Sequence, residues 1–157
     1  MSQQTNELYS LLIPLQHDRL LVPRICIAEV IAFADRPEPP EDETPDWFLG
    51  TMDWNGRRLP VVSLDGAEIV HTQSRRNRRR VVVFHGLTDV MRGRYYGVVT
   101  QGFPQLIRVN ADVISADLEY VPPEDRPILC RVRMIHEFPL VPDFDKLEQM
   151  IAEHSSA

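Results

Sequence analysis

The chain holds 157 residues, with 17 Lys and Arg against 23 Asp and Glu, a formal charge of −6 at neutral pH with histidine neutral. At 43% hydrophobic and 25% charged it has the composition of a folded globular chain. A chain of this size buries roughly 70% of its unfolded surface, so wholesale disorder is excluded. No run reaches the roughly 18 consecutive apolar residues of a membrane-spanning helix, and the start has neither a basic nor an apolar leader segment. A cytoplasmic location is expected, with residues 1–7 as a flexible N-terminus. Cys26 and Cys130 sit in apolar contexts without a Cys-x-x-Cys partner, so reduced, buried thiols are expected. The acidic balance argues against a nucleic-acid protein, whose affinity comes mainly from clustered cations on phosphates.

The 13 prolines and 7 glycines fall mostly between short runs of Val, Ile, Leu and Tyr, the punctuation of a β-rich chain. Tyr9, Leu11, Ile13 and Leu15 alternate with Ser10, Leu12 and Pro14, giving a first strand with one strongly apolar face. Strands are predicted next over 19–23 and 25–33. Residues 35–46, with six carboxylates and four prolines, are predicted as a solvated loop that cannot pair in a sheet. Further strands are predicted over 48–54, 57–64, 67–72, 80–85, 94–101, 105–109 and 128–138. Phe144, Leu147 and Ile151 recur at helical spacing, and Asp145 precedes Glu148 by three, as in a capping box; this last segment is the one helix expected, packed on the β body. No repeat of 20 to 50 residues is present, which excludes solenoids and propellers. An all-β chain of antiparallel barrels follows.

Residues 44–65, TPDWFLGTMDWNGRRLPVVSLD, are the most informative stretch. Thr44 and Pro45 suit the start of a short helical turn, and Gly50 its left-handed end. Asn55-Gly56 supplies the two positive φ angles of a type I′ hairpin. Pro60 lacks a donor, which favours an edge strand open to a chosen partner.

The spacing Pro45, Gly50, Gly56, Pro60, Val61, Val62, Leu64 resembles the central motif of CheW-type domains, the coupling proteins of bacterial chemosensory arrays. Tyr96-Gly97-Val98-Val99 followed by Gly102 is similar to that family's second block, and Ile27-Ala28-Glu29-Val30 lies where it carries a Val-x-Glu-Ile strand. The resemblance spans residues 8–151. It implies two small SH3-like five-stranded barrels sharing a hydrophobic core, followed by the C-terminal helix. The whole is one domain over residues 8–157, with a first lobe over about 18–85 and a second over about 86–140 plus the N-terminal strand. It also implies a non-enzymatic adaptor that bridges the cytoplasmic tip of a methyl-accepting chemoreceptor, held in the groove between lobes, to the regulatory domain of a CheA-type histidine kinase at one barrel end. The partner-binding residues it suggests are Ile27, Glu29, Val30, Trp54, Gly56, Pro60, Asp65, Gly97 and Val99.

The sequence also departs from the family pattern. Asp65 stands where the family commonly has Arg, Ser63 where it has Asp, and Gln101 replaces the Asp of the second block. These changes bear on receptor engagement rather than fold, and point to an auxiliary member such as the second CheW-like protein of a system controlling pilus-based twitching motility.

Each candidate has a plainer reading. Ile27, Val30 and Val99 are ordinary core residues by type; Asp65-Gly66 after a strand is first of all a turn; Trp47 and Trp54 serve equally as interface anchors or barrel plugs. Glu29 is the better contact, because a carboxylate in an apolar strand must face water or a partner. Arg75, Arg76, Arg78, Arg79 and Arg80 form the one basic run, read as a solvated loop; the alternative is a small β-barrel nucleic-acid binder that uses it. The five histidines show no metal-ligand spacing, and no Gly-x-Ser-x-Gly or phosphate-cradling loop occurs, so no catalytic, metal or cofactor site is expected. A hydrolase assembled from distant residues is the residual possibility.

Overall fold

A computed structural model describes residues 7–33, 37–40, 43–65 and 79–155. The strands are β1 (Leu8–Pro14), β2 (Arg19–Pro23), β3 (Ile27–Ala32), β4 (Phe48–Trp54), β5 (Arg57–Val62), β6 (Arg80–His85), β7 (Tyr95–Thr100), β8 (Gln105–Val109), β9 (Ser115–Ala116), β10 (Ile128–Arg133) and β11 (Leu140–Pro142), and the helix is α1 (Phe144–His154). They form a six-stranded sheet in the order β8-β1-β2-β11-β10-β9 and a five-stranded sheet in the order β3-β6-β7-β5-β4. The architecture is thus mostly β, in two barrel-like lobes with one C-terminal helix. Among the described residues no helix is long and apolar enough to cross a membrane.

The predicted strands over 19–23, 48–54, 80–85 and 105–109 have the observed bounds. The strand expected over 25–33 is shorter, because Arg24–Cys26 forms a 3-10 turn. That expected over 128–138 stops at Arg133, where the Met134 N–H donates to the Glu137 carbonyl and the chain returns as β11. The strand expected over 67–72, the residues Arg75, Arg76 and Arg78, and the N-terminal residues 1–6 lie outside the described residues.

Several expectations are corrected. Strand pairing draws the lobes differently: β2 joins the six-stranded sheet, and β7 completes the five-stranded one. Two pairings are parallel, β5 with β7 and β11 with β2. Pro60 is not on an edge, since β5 lies between β4 and β7; it is tolerated there because pairing with β7 begins one residue later, at Val61. The acidic segment is not wholly a solvated loop. Glu38 forms an isolated antiparallel bridge with Thr51 of β4, through hydrogen bonds of 2.7 and 2.9 Å.

Gly50 explains that bridge. It is no turn terminus but lies inside β4 at a register shift, with φ of +134°, and a Cβ there would stand 2.0 Å from the Glu38 carbonyl oxygen. Only glycine permits so close a backbone approach. The Asn55-Gly56 hairpin is as expected, with φ of 52° and 74°.

Alternation along the central strands divides the core into three. Val61, Val81, Val83 and Val99 face the interior of the five-stranded lobe with Leu59. Their neighbours Val62, Val82, Phe84 and Val98 face the other way, into a shared core with Ile13, Leu20, Val22, Ile128 and Leu140 of the six-stranded lobe. Leu12, Leu21, Val109 and Val132 fill the six-stranded lobe. Strands buried on both faces read as unbroken Val runs, and each such side chain contributes about 1.5–3 kcal/mol by leaving water.

The helix docks on the shared core through Leu147 and Ile151, with Phe144 and Ala152 beside them. Its cap is Asp143, whose carboxylate accepts from the Lys146 N–H at 3.1 Å, rather than the expected Asp145. Glu148, read from sequence as the reciprocal capping partner, is fully buried.

Candidate partner-binding site

A groove of about 560 Å³ opens where the two lobes meet the helix. The β1–β2 turn supplies His17 and Asp18, the turn before β4 supplies Trp47, the end of β5 supplies Ser63 to Asp65, the approach to β10 supplies Arg126 and Pro127, and α1 supplies Leu147 and Met150. Its lining mixes apolar Leu64, Pro127, Leu147 and Met150 with charged Asp18, Asp65 and Arg126, as protein-binding surfaces do.

Hydrogen bonds across the floor lock one lobe to the other. Asp65 Oδ2 accepts from the Gln16 N–H at 3.0 Å, and Arg126 reaches the Leu64 carbonyl at 3.2 Å with one nitrogen and Asp18 Oδ2 at 3.4 Å with the other. The Asp65 N–H donates back to Ser63 Oγ at 3.1 Å, so Ser63 and Asp65 form one local turn. Burial raises the Asp65 carboxyl above its ordinary value, against the lowering effects of the Gln16 N–H and the Arg126 guanidinium. Trp47 stands edge-on to His154 with ring centroids 5.5 Å apart, and its carbonyl accepts from the Ser63 N–H at 2.8 Å.

Of the nine residues singled out from sequence, only Asp65 lines this groove. Glu29 and Trp54 come together elsewhere: the indole N–H of Trp54 donates to Glu29 Oε2 at 2.7 Å. They sit on β3 and β4, the two outer strands of the five-stranded sheet, so this contact draws the sheet toward closure. Ile27 and Val30 are half-buried against the shared core. Gly56 is exposed at the hairpin tip, and Pro60 is buried.

Gly97 and Val99 lie within the five-stranded lobe and present no surface. A Cβ at Gly97 would meet Val81 Cγ1 at 2.5 Å, so that glycine serves packing. His17, Asp18, Arg126 and Met150 are groove residues that sequence reading did not find. They come from loops and a helix far apart in the chain, and no local motif marks them.

Of the basic run, Arg79 is buried, and Arg80 lies 4.8 Å over the Phe103 ring. Both cysteines are free, Cys26 buried and Cys130 half-buried, and burial pushes both thiols up.

A sequence model of the CheW-like domain matches residues 10–149 of this chain. The chain belongs to the CheW-like domain family. The crystal structure of the scaffolding protein TtCheW from Thermoanaerobacter tengcongensis superposes with a TM-score of 0.69 at 13% identity, covering 90% of this chain and 88% of that one. At that identity the superposition speaks for the fold, and it accords with the two-lobed β architecture of this CheW-like chain. No curated protein matches it significantly.

Proposed function

We propose that this CheW-like chain is a non-enzymatic chemosensory adaptor that couples a methyl-accepting chemoreceptor to a CheA-type histidine kinase. It acts in the cytoplasm, recruited to receptor arrays through protein contacts. The observation that carries the reading is the interlobe groove, lined in part by apolar side chains and cross-tied between lobes by Asp65, Gln16, Arg126 and Leu64. A rod-like receptor tip seated there touches both lobes at once, and a rigid floor transmits its position to a kinase domain bound at a barrel end. Coupling then needs only that the receptor's two states contact the groove differently. Each contact can be weak, because an array presents many copies together.

The finer form of the proposal is a specialised member serving pilus-based motility, supported by Asp65 in place of the family's arginine. That substitution puts a half-buried carboxylate where a cation would otherwise meet the receptor, so this adaptor selects a receptor of different charge.

The test is co-sedimentation of the purified chain with a CheA-type kinase regulatory domain and with a soluble receptor signalling fragment, for wild type and Asp65→Arg. Binding of both partners, with receptor binding alone altered by Asp65→Arg, is the expected result. Failure to bind either partner removes the proposal; unaltered receptor binding by Asp65→Arg reduces Asp65 to a turn residue.

A further inference from the structure

A second cavity, of about 230 Å³, lies between the β4–β5 hairpin and the β6–β7 turn and shares no lining residue with the groove. Its chemistry is opposite to the chain's average. Arg57, Arg58 and Arg94 line it, the half-buried Tyr95 gives it an apolar wall with the buried Pro60 and Met91 behind, and no carboxylate lines it among the described residues.

Two of these arginines are offered to a ligand. Arg58 is already engaged, with Asp53 at 3.0 Å and with Glu38 and Thr51 each at 2.6 Å. Among the described residues Arg57 is held in place by neutral groups only: its guanidinium lies 5.1 Å from the Tyr95 ring centroid and donates to the Gly93 carbonyl at 3.2 Å. Arg94 is exposed, its backbone fixed by hydrogen bonds to Met91 and Gly86 at 2.9 and 2.8 Å.

The wall behind Arg57 is braced in turn. Tyr95 packs between Trp54 at 5.0 Å and His85 at 5.3 Å, and Trp54 is anchored by its bond to Glu29. A guanidinium fixed on an aromatic face loses little freedom on meeting a carboxylate, which it binds with two parallel bonds.

We propose that this cavity is a docking site for an acidic peptide segment of a protein partner, one carboxylate meeting Arg57 and Arg94 while an adjoining apolar side chain rests on the half-buried Tyr95. Charge complementarity selects the ligand, and the apolar wall favours a peptide over inorganic phosphate. A nucleic acid is disfavoured, because the chain's net charge of −6 repels a long polyanion outside the cavity. The site is separate from the groove.

Fluorescence anisotropy with a fluorescein-labelled peptide of alternating glutamate and leucine tests it, using the full chain as wild type, Arg57→Gln, Arg94→Gln and, as an exposed arginine away from the cavity, Arg108→Gln. Salt-sensitive binding is expected, weakened about tenfold or more by the Arg57 or Arg94 change, unaffected by Arg108→Gln, and absent for the same peptide with glutamine replacing glutamate. Arg94 is exposed, so Arg94→Gln carries the test even if Arg57→Gln fails to fold. Equal binding by wild type and Arg94→Gln, equal binding of the glutamine peptide, or equally effective displacement by inorganic phosphate or single-stranded DNA overturns the proposal.

Discussion

Glu148 offers the sharpest test of how the helix is tied to the β body. Its carboxylate is fully buried and accepts from the Leu87 N–H at 3.0 and 2.9 Å, the Thr88 N–H and Oγ1 each at 2.8 Å, and the Tyr96 hydroxyl at 3.0 Å. Glu148→Ala strips the acceptor from all of these donors. The Tyr96 hydroxyl, buried with its ring stacked on Phe84 at 5.3 Å, then has no partner and no water. An orphaned buried donor costs about 1–3 kcal/mol, and the lost packing adds to it, so Glu148→Ala is expected to destabilise the chain by about 3–5 kcal/mol. Glu148→Gln keeps one acceptor oxygen but turns an amide NH₂ toward donors, and is expected to cost about 1–3 kcal/mol.

Urea unfolding at neutral pH measures both. Tyr96→Phe supplies the cross-check: about 1 kcal/mol in the wild type and less in the Glu148→Ala background, where it removes an orphan. A loss below about 1 kcal/mol for Glu148→Ala, or strict additivity with Tyr96→Phe, refutes the reasoning.

Other expectations follow from the same contacts. Gly50→Ala forces a Cβ against the Glu38 carbonyl and is expected to cost more than about 2 kcal/mol, whereas Gly56→Ala, with φ of +74° but open space around it, is expected to cost about 1 kcal/mol; thermal unfolding of the pair separates clash from backbone strain. The Asp65 carboxyl has a folded pKa above its ordinary 3.8, so its stabilising contribution is complete below that value and is lost as pH rises through the raised folded value. Asp65→Asn should therefore be at least as stable as wild type near neutrality, with the difference vanishing below about pH 4, read from melting temperatures across pH. Asp117 has the opposite sign: the Arg131 guanidinium, at 2.8 Å through Nε, holds its carboxyl below the ordinary 3.8, so the contribution is present above that value and lost as pH falls through the lowered folded value. Arg131→Gln is expected to reduce this acid-side dependence in the same melts, the Glu119 N–H and Arg133 keeping part of it.

How much of this was legible in the sequence depended on the range of the interaction. The hairpin at Asn55-Gly56 and the amphipathic helix are local patterns, and each is visible in the structure as read; the first strand does place Ile13 in the shared core, but Tyr9 on that face is exposed while Ser10 and Leu12 on the other are buried. Pro60 was misplaced because its tolerance depends on where a parallel neighbour some forty residues away, near Gly97, begins to pair. The buried role of Glu148 was hidden for a similar reason: its donors lie in the β6–β7 turn, and at helical spacing from Asp145 the residue mimics a cap. Gly50 was correctly marked as special, but its reason, the approach of Glu38, lies in an acidic segment whose composition argues against pairing. At the candidate site, Asp65 was reached through the family pattern, whereas Arg126 and Asp18 have no sequence signature and are joined only by the fold. Glu29 and Trp54 were each singled out alone, and their hydrogen bond appears only once β3 and β4 become the outer strands of one curled sheet.

The central claim is that this chain passes a receptor's state to a kinase without chemistry of its own. Reconstitution of a receptor signalling fragment and a CheA-type kinase, with and without the chain, tests it through ATP-dependent kinase autophosphorylation. The account predicts that the receptor changes the kinase rate only when the chain is present, and that disrupting the groove floor with Arg126→Glu abolishes the effect. A kinase rate indifferent to the chain at saturating concentration would contradict it.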